Sequence, residues 1–118
     1  MNSLDKKIVR TGKIELEVAL NAEQMPVSIN WSATDQGPDQ NEACGAFMLS
    51  MWDREKKEQL KINLWELEMT VEEMKHFFFQ SLMSMSGTLQ LATGEKEEAE
   101  RLREFAVAYG KRNGVIKE

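Results

Sequence analysis

The hydrophobic period of this chain changes once, near residue 70, from two to helical, and few folds accommodate that order. Before the change, apolar residues alternate with polar ones. Ile14, Leu16, Val18 and Leu20 are interleaved with Glu15, Glu17 and Ala19, the signature of a half-buried antiparallel strand. Pro26 restricts Met25 to an extended shape after a turn. A second alternation then sets Val27, Ile29, Trp31 and Ala33 against Ser28, Asn30 and Ser32. Residues 34–42, with Gly37, Pro38 and three acids, read as a loop. Residues 43–53 are apolar on both parities, which by period alone admits a helix; the alternation that follows favours a central strand. Residues 58–65 alternate again, with Leu60, Ile62 and Leu64 against Lys61 and Asn63. A short polar loop between these last two runs predicts a hairpin.

The loop length sets the hairpin register, because a one-residue slip turns every side chain to the other face. A five-residue loop would set Trp52 and Met48 with Leu60 and Leu64; the favoured loop of four residues, 54–57, pairs Asp53 with Glu58. Phe47, Leu49 and Met51 then stand beside Leu64, Ile62 and Leu60 on one face, leaving Met48, Trp52 and Trp65 on the other.

Thr70 opens the helical part. With Glu73 it forms a capping box, the hydroxyl accepting from the Glu73 amide and the carboxylate reaching back. Met69 and Met74 stand at the flanking staple positions. Met74, Phe77, Phe78, Leu82, Met85 and Leu89 recur at helical spacing. Thr93 and Gly94 interrupt. A second helix starts near Glu95, with acids in its first turns and Lys111 and Arg112 in its last, as the helix dipole favours. Ala99, Leu102, Ala106 and Tyr109 form its inner stripe, and Asn113–Gly114 is a stop signal. The fold class expected is α+β: a four-stranded antiparallel meander sheet followed by two C-terminal helices packed on one face. Residues 1–11 read as a flexible N-terminal arm and residues 12–114 as a single α+β domain.

Composition narrows the function. The net charge is −5 and the 15 basic residues are scattered, which disfavours nucleic acid and anionic membranes. The densest basic group, Arg54, Lys56 and Lys57, alternates with Glu55 and Glu58 and reads as a solvated turn. One cysteine, Cys44, forms no intrachain disulfide and is compatible with a reducing compartment. Residues 1–10 lack the apolar run of a secretory signal. Every apolar stretch falls short of the roughly 18 residues a membrane span needs. The expected localisation is therefore cytoplasmic.

The groups available for chemistry are few. His76 is the one histidine, and its i±4 neighbours Glu72 and Gln80 put it on a polar helix face. Zinc needs about four N or S ligands, more than one His and one Cys supply. Asp35 and Asp39 could take the first and fifth positions of an EF-hand loop, but Gly37, Gln40 and Ala46 occupy its third, sixth and twelfth. Cys44 has no basic neighbour in sequence and reads as a buried strand cysteine. Phosphate-binding and nucleophile-elbow motifs are absent, so no catalytic residue, metal or cofactor is expected.

What stands out is the sum of three tryptophans and eight methionines. Core filling is the ordinary explanation. The sharper one is an exposed apolar face of Met48, Trp52 and Trp65, which would mark a protein interface. Asp35 and Asp39 are weaker contact candidates.

Three stretches together resemble one known family: INWSATD at residues 29–35, AFMLSMWD at 46–53 and LKINLWELEMTVEEMKHFFFQSLMSM at 60–85. In order and spacing they are similar to the gliding-motility protein GldC family of the Bacteroidetes, and the likeness spans most of residues 12–108. The tract at residues 1–10 is longer than the family leads one to expect, and the acidic loop after Asp35 varies. The resemblance implies a cytoplasmic, non-enzymatic accessory protein of gliding motility, a process tied to the type IX secretion machinery. It assigns no functional residues. The expected partners are proteins, either other motility components or further copies of the chain, without nucleic acid or membrane insertion. An alternative is a chaperone-like holder of unfolded or export-bound clients, similar to SecB, for which the methionines are suited. An enzyme or small-ligand binder would need His76, Cys44 and a carboxylate converging in one cleft.

Overall fold

The computed structural model describes residues 4–36 and 40–117. The chain divides into two compact units, Met1–Glu68 and Met69–Glu118, at the point where the hydrophobic period changes.

The first unit holds five strands: β1 (Ile14–Leu20), β2 (Pro26–Ala33), β3 (Glu42–Cys44), β4 (Ala46–Asp53) and β5 (Glu58–Trp65). β1, β2 and β3 form one antiparallel sheet in that order, and β4 and β5 form a second. The expected single four-stranded meander is thus corrected to five strands in two sheets. The reason lies at Gly45. Residues 43–53 read as one strand, but the backbone bends at Gly45, where no Cβ resists the change of direction. Cys44 stays in the first ladder opposite Ile29. Gly45 accepts a hydrogen bond from the Glu66 amide and so already belongs to the second. The two sheets meet again where the Leu67 amide donates to the Pro26 carbonyl.

Turn chemistry holds each hairpin in register. Between β1 and β2, Asn21 Oδ1 accepts from the amides of Glu23 and Met25, and Gln24 adopts a left-handed φ of 65°. The strands then pair Val18 with Ile29 and Leu16 with Trp31. Ile29, on the central strand, is 1% exposed. Between β4 and β5, Asp53 Oδ1 accepts from the amides of Glu55 and Lys56, and Lys57 takes φ 55°. The four-residue loop pairs Asp53 with Glu58, as the sequence predicts.

The second unit is a helical hairpin of α1 (Val71–Thr93) and α2 (Lys96–Arg112). The capping box forms: Thr70 Oγ1 accepts from the Glu73 amide at 3.1 Å, and the Thr70 amide donates to Glu73 Oε1 at 3.2 Å. Gly94 ends α1 in the left-handed conformation, φ 75°, its amide donating to the Gln90 carbonyl. Small residues close the pair. Ala99, Ala106 and Gly110 are the buried residues of α2, and Ser86 is that of α1. A Cβ on Gly110 would lie 2.8 Å from the Phe79 ring, so the glycine is what allows that ring its position. The inner stripe read on α2 is correct, with Leu102 and Tyr109 half-buried beside the alanines. On α1 the expected apolar repeat is buried in part: Met74, Phe77, Leu82 and Leu89 are half-buried, Phe78 and Met85 are exposed, and Ser86 is the fully buried residue.

Candidate functional site

The β4–β5 ladder decides which candidate residues share a face. Its register pairs Phe47 with Leu64, Leu49 with Ile62 and Met51 with Leu60 on one side. On the other side Ala46 faces Trp65, Met48 faces Asn63, Ser50 faces Lys61 and Trp52 faces Gln59. Met48, Trp52 and Trp65 therefore lie on one face of a two-stranded sheet, as the four-residue loop requires. Trp52 is 64% exposed, Trp65 53% and Met48 40%. The Gln59 amide hydrogen-bonds to Ser50 Oγ diagonally across the same face. The result is an apolar border around a small polar centre. Such a surface suits protein contact, because indole rings supply large area at little entropic cost and keep a polar N–H at their edge.

The opposite face differs from expectation in one respect. Sequence alternation marks Met51, Leu60 and Ile62 as core-facing, and all three are about half exposed. Alternation reports which side a residue is on, and carries no information about what covers that side.

The weaker candidates sit elsewhere. Asp35 lies in a 3-10 turn, Thr34–Gln36, and its carboxylate accepts from Arg10 Nη1 at 2.7 Å. Both partners are well exposed, so the ion pair is screened and adds little stability. The turn itself is fixed by Thr34, whose hydroxyl accepts from the Lys13 amide and whose amide donates to the Lys13 carbonyl. Asp39 lies outside the described residues.

The remaining reactive groups stay apart. His76 is on an exposed face of α1. Cys44 is half-buried at the end of β3, and burial pushes its thiol above the ordinary value, which lowers the thiolate fraction at neutral pH. Among the described residues no three His, Cys, Asp or Glu side chains gather where they could hold a metal. Two shallow surface depressions lie along α2, one lined by Glu100, Arg103, Glu104, Val107, Ala108 and Lys111, the other by residues 95–98, and neither includes His76 or Cys44. No helix among the described residues is long and apolar enough to cross a membrane.

In comparison with known proteins, a family described as gliding motility-associated protein GldC-like matches residues 26–114. That span takes in all three stretches that carry the resemblance noted in the sequence. No curated protein and no solved structure matches the chain.

Proposed function

The chain belongs to the GldC-like family of gliding motility-associated proteins, and from that premise we propose that it is a non-enzymatic accessory protein of gliding motility that acts through protein–protein contacts. It works in the cytoplasm, in connection with the type IX secretion machinery. Its partners are other motility components, and the contact surface is the face of Met48, Trp52 and Trp65. The observation that carries this reading is the exposure of two tryptophans and a methionine on one side of β4–β5. Large apolar groups left in water on an ordered strand ladder cost solvation free energy that a bound partner removes. The experiment is to replace Trp52 and Trp65 together by glutamine in the chromosomal copy and to measure both spreading and chain abundance. Loss of gliding at unchanged abundance is expected. Normal gliding by the double variant would remove the face from the mechanism.

A second reading, a chaperone-like holder of unfolded or export-bound clients, draws on a separate observation. Met48, Met51 and Met85 are all exposed, and methionine adapts to partners of varied shape. Suppression of a model client's aggregation favours this reading. A complex of fixed stoichiometry with one motility protein favours the first.

A further inference from the structure

The sheet edges of the first unit are guarded unequally. β1 is an outer strand of the three-stranded sheet. Glu15 and Glu17 lie within it, Lys13 precedes it, and its register breaks between Ala19 and Leu20. Charges and bulges of this kind keep an edge from recruiting another strand. β5 carries Lys61 near its middle. β4 has no such device. From Ala46 to Trp52 it contains no charge, proline or glycine, and it keeps an unbroken ladder with β5. The side of β4 away from β5 has no strand beside it among the described residues. An isolated two-stranded hairpin is marginal in water, and further strands or a helix packed on it add stability.

We propose that β4 pairs antiparallel with β4 of a second copy about a two-fold axis at Leu49, making a four-stranded sheet in the order β5–β4–β4–β5. The inference goes beyond the motility reading and does not rest on it. The register follows from side-chain parity. Centred on Leu49, Phe47 faces Met51 of the second copy, Met51 faces Phe47, and Leu49 faces its own equivalent. The apolar side then runs unbroken across four strands. On the other side Ala46, already opposite Trp65, gains Trp52 of the second copy, so a small residue lies between two indoles. Asp53, the only charge in β4, falls opposite Gly45. The other registers fit worse. A one-residue slip sets Leu49 against Ser50 and joins the apolar side of one copy to the polar side of the other. Centring on Met51 sets Asp53 against Leu49. Centring on Phe47 draws in Ala43 and Cys44, which β2 already engages.

The occupant is a second copy because the fit uses the same residues from both sides, as an isologous interface requires. Charge agrees. The chain carries −5, which repels its like, but residues 46–65 hold three acids, Asp53, Glu55 and Glu58, and four bases, Arg54, Lys56, Lys57 and Lys61, a net of +1. The hairpin can therefore approach its own copy with little of the repulsion that the net charge of the whole chain would cause.

Light scattering on the full chain, with two sets of variants, tests the pairing. The expected mass is twice the 13.6 kDa of one chain. Ser50→Lys places an ammonium on the exposed face near the axis, diagonal to its equivalent, and weakens association by on the order of tenfold or more. Ser50→Ala, which also loses the Gln59 bond, leaves the dimer intact. In a Cys44→Ser background, Leu49→Cys locks a covalent dimer under mild oxidation. Lys61→Cys does not, being three strand spacings, roughly 14 Å, from its equivalent and beyond disulfide reach. A monomer at every concentration overturns the proposal. So does a dimer that Leu49→Cys fails to lock, a result that stands even where the lysine variant fails to fold.

Discussion

The two hairpins of this chain finish their packing in opposite ways. α1 and α2 meet through small side chains, with Ala99, Ala106, Gly110 and Ser86 buried, while β4 and β5 leave large apolar residues on both faces in solvent. Close approach satisfies the helical pair internally, since backbone and ring come together where a Cβ is absent. Among the described residues the strand pair has a ladder between β4 and β5 alone, and large apolar residues on both of its faces stay exposed. Changes in the first should therefore show as lost stability, and changes in the second as lost association.

The strongest way to break this comparison is Gly110→Leu. Its Cβ alone would meet the Phe79 ring at 2.8 and 2.9 Å and Ile116 at 3.1 Å, so ring and helix must separate. A loss of about 3 kcal/mol is expected, the upper end of overpacking effects, despite the better helix propensity of leucine. Denaturant unfolding of the full chain measures it. A neutral result would mean that the helical hairpin is as loosely held as the strand hairpin, and the contrast would collapse. Thr70→Ala comes next. It removes the acceptor for the Glu73 amide at the start of α1 and should cost about 1 kcal/mol. Thr70→Ser, which keeps the oxygen, should recover most of that.

The same contrast explains what the sequence could reveal. The capping box, the Gly94 stop and the Asp53 turn are local, each depending on a few neighbouring residues, and each forms where the sequence places it. The β4–β5 register is nearly as local, because loop length and parity determine it. Gly45 was hidden. Apolar residues continue on both parities around it, so alternation marks no break, and the division into two sheets depends on pairing partners far away in sequence. The buried side of α1 was legible in part. Met74, Phe77, Leu82 and Leu89 of the apolar repeat are half-buried, Phe78 and Met85 are exposed, and Ser86, a buried polar residue between Leu82 and Leu89, is the one the pattern missed. Ser86 tolerates this by donating its hydroxyl to the Met83 carbonyl at 2.7 Å. The candidate face followed from parity alone, whereas the contact roles of Asp35 and Asp39 had only loop composition behind them.

The smallest expected effect is the most discriminating. Trp52→Gln removes a large side chain that is 64% exposed. In a dilute sample, where the chain is monomeric, stability should change by less than about 0.5 kcal/mol, as for surface substitutions elsewhere. An indole packed in a core would instead cost about 3–5 kcal/mol on truncation. At high concentration the outcome should differ, because the pairing about Leu49 sets Trp52 beside Ala46 of the second copy. Anything that binds the folded state adds stability by mass action, so the variant should then fall behind the parent chain by an amount that grows with concentration. A deficit that is large and independent of concentration would show Trp52 buried within its own chain, and the strand hairpin would prove as complete as the helical one. A concentration-dependent deficit at Trp52, with none at Thr70, would locate the unfinished packing on β4.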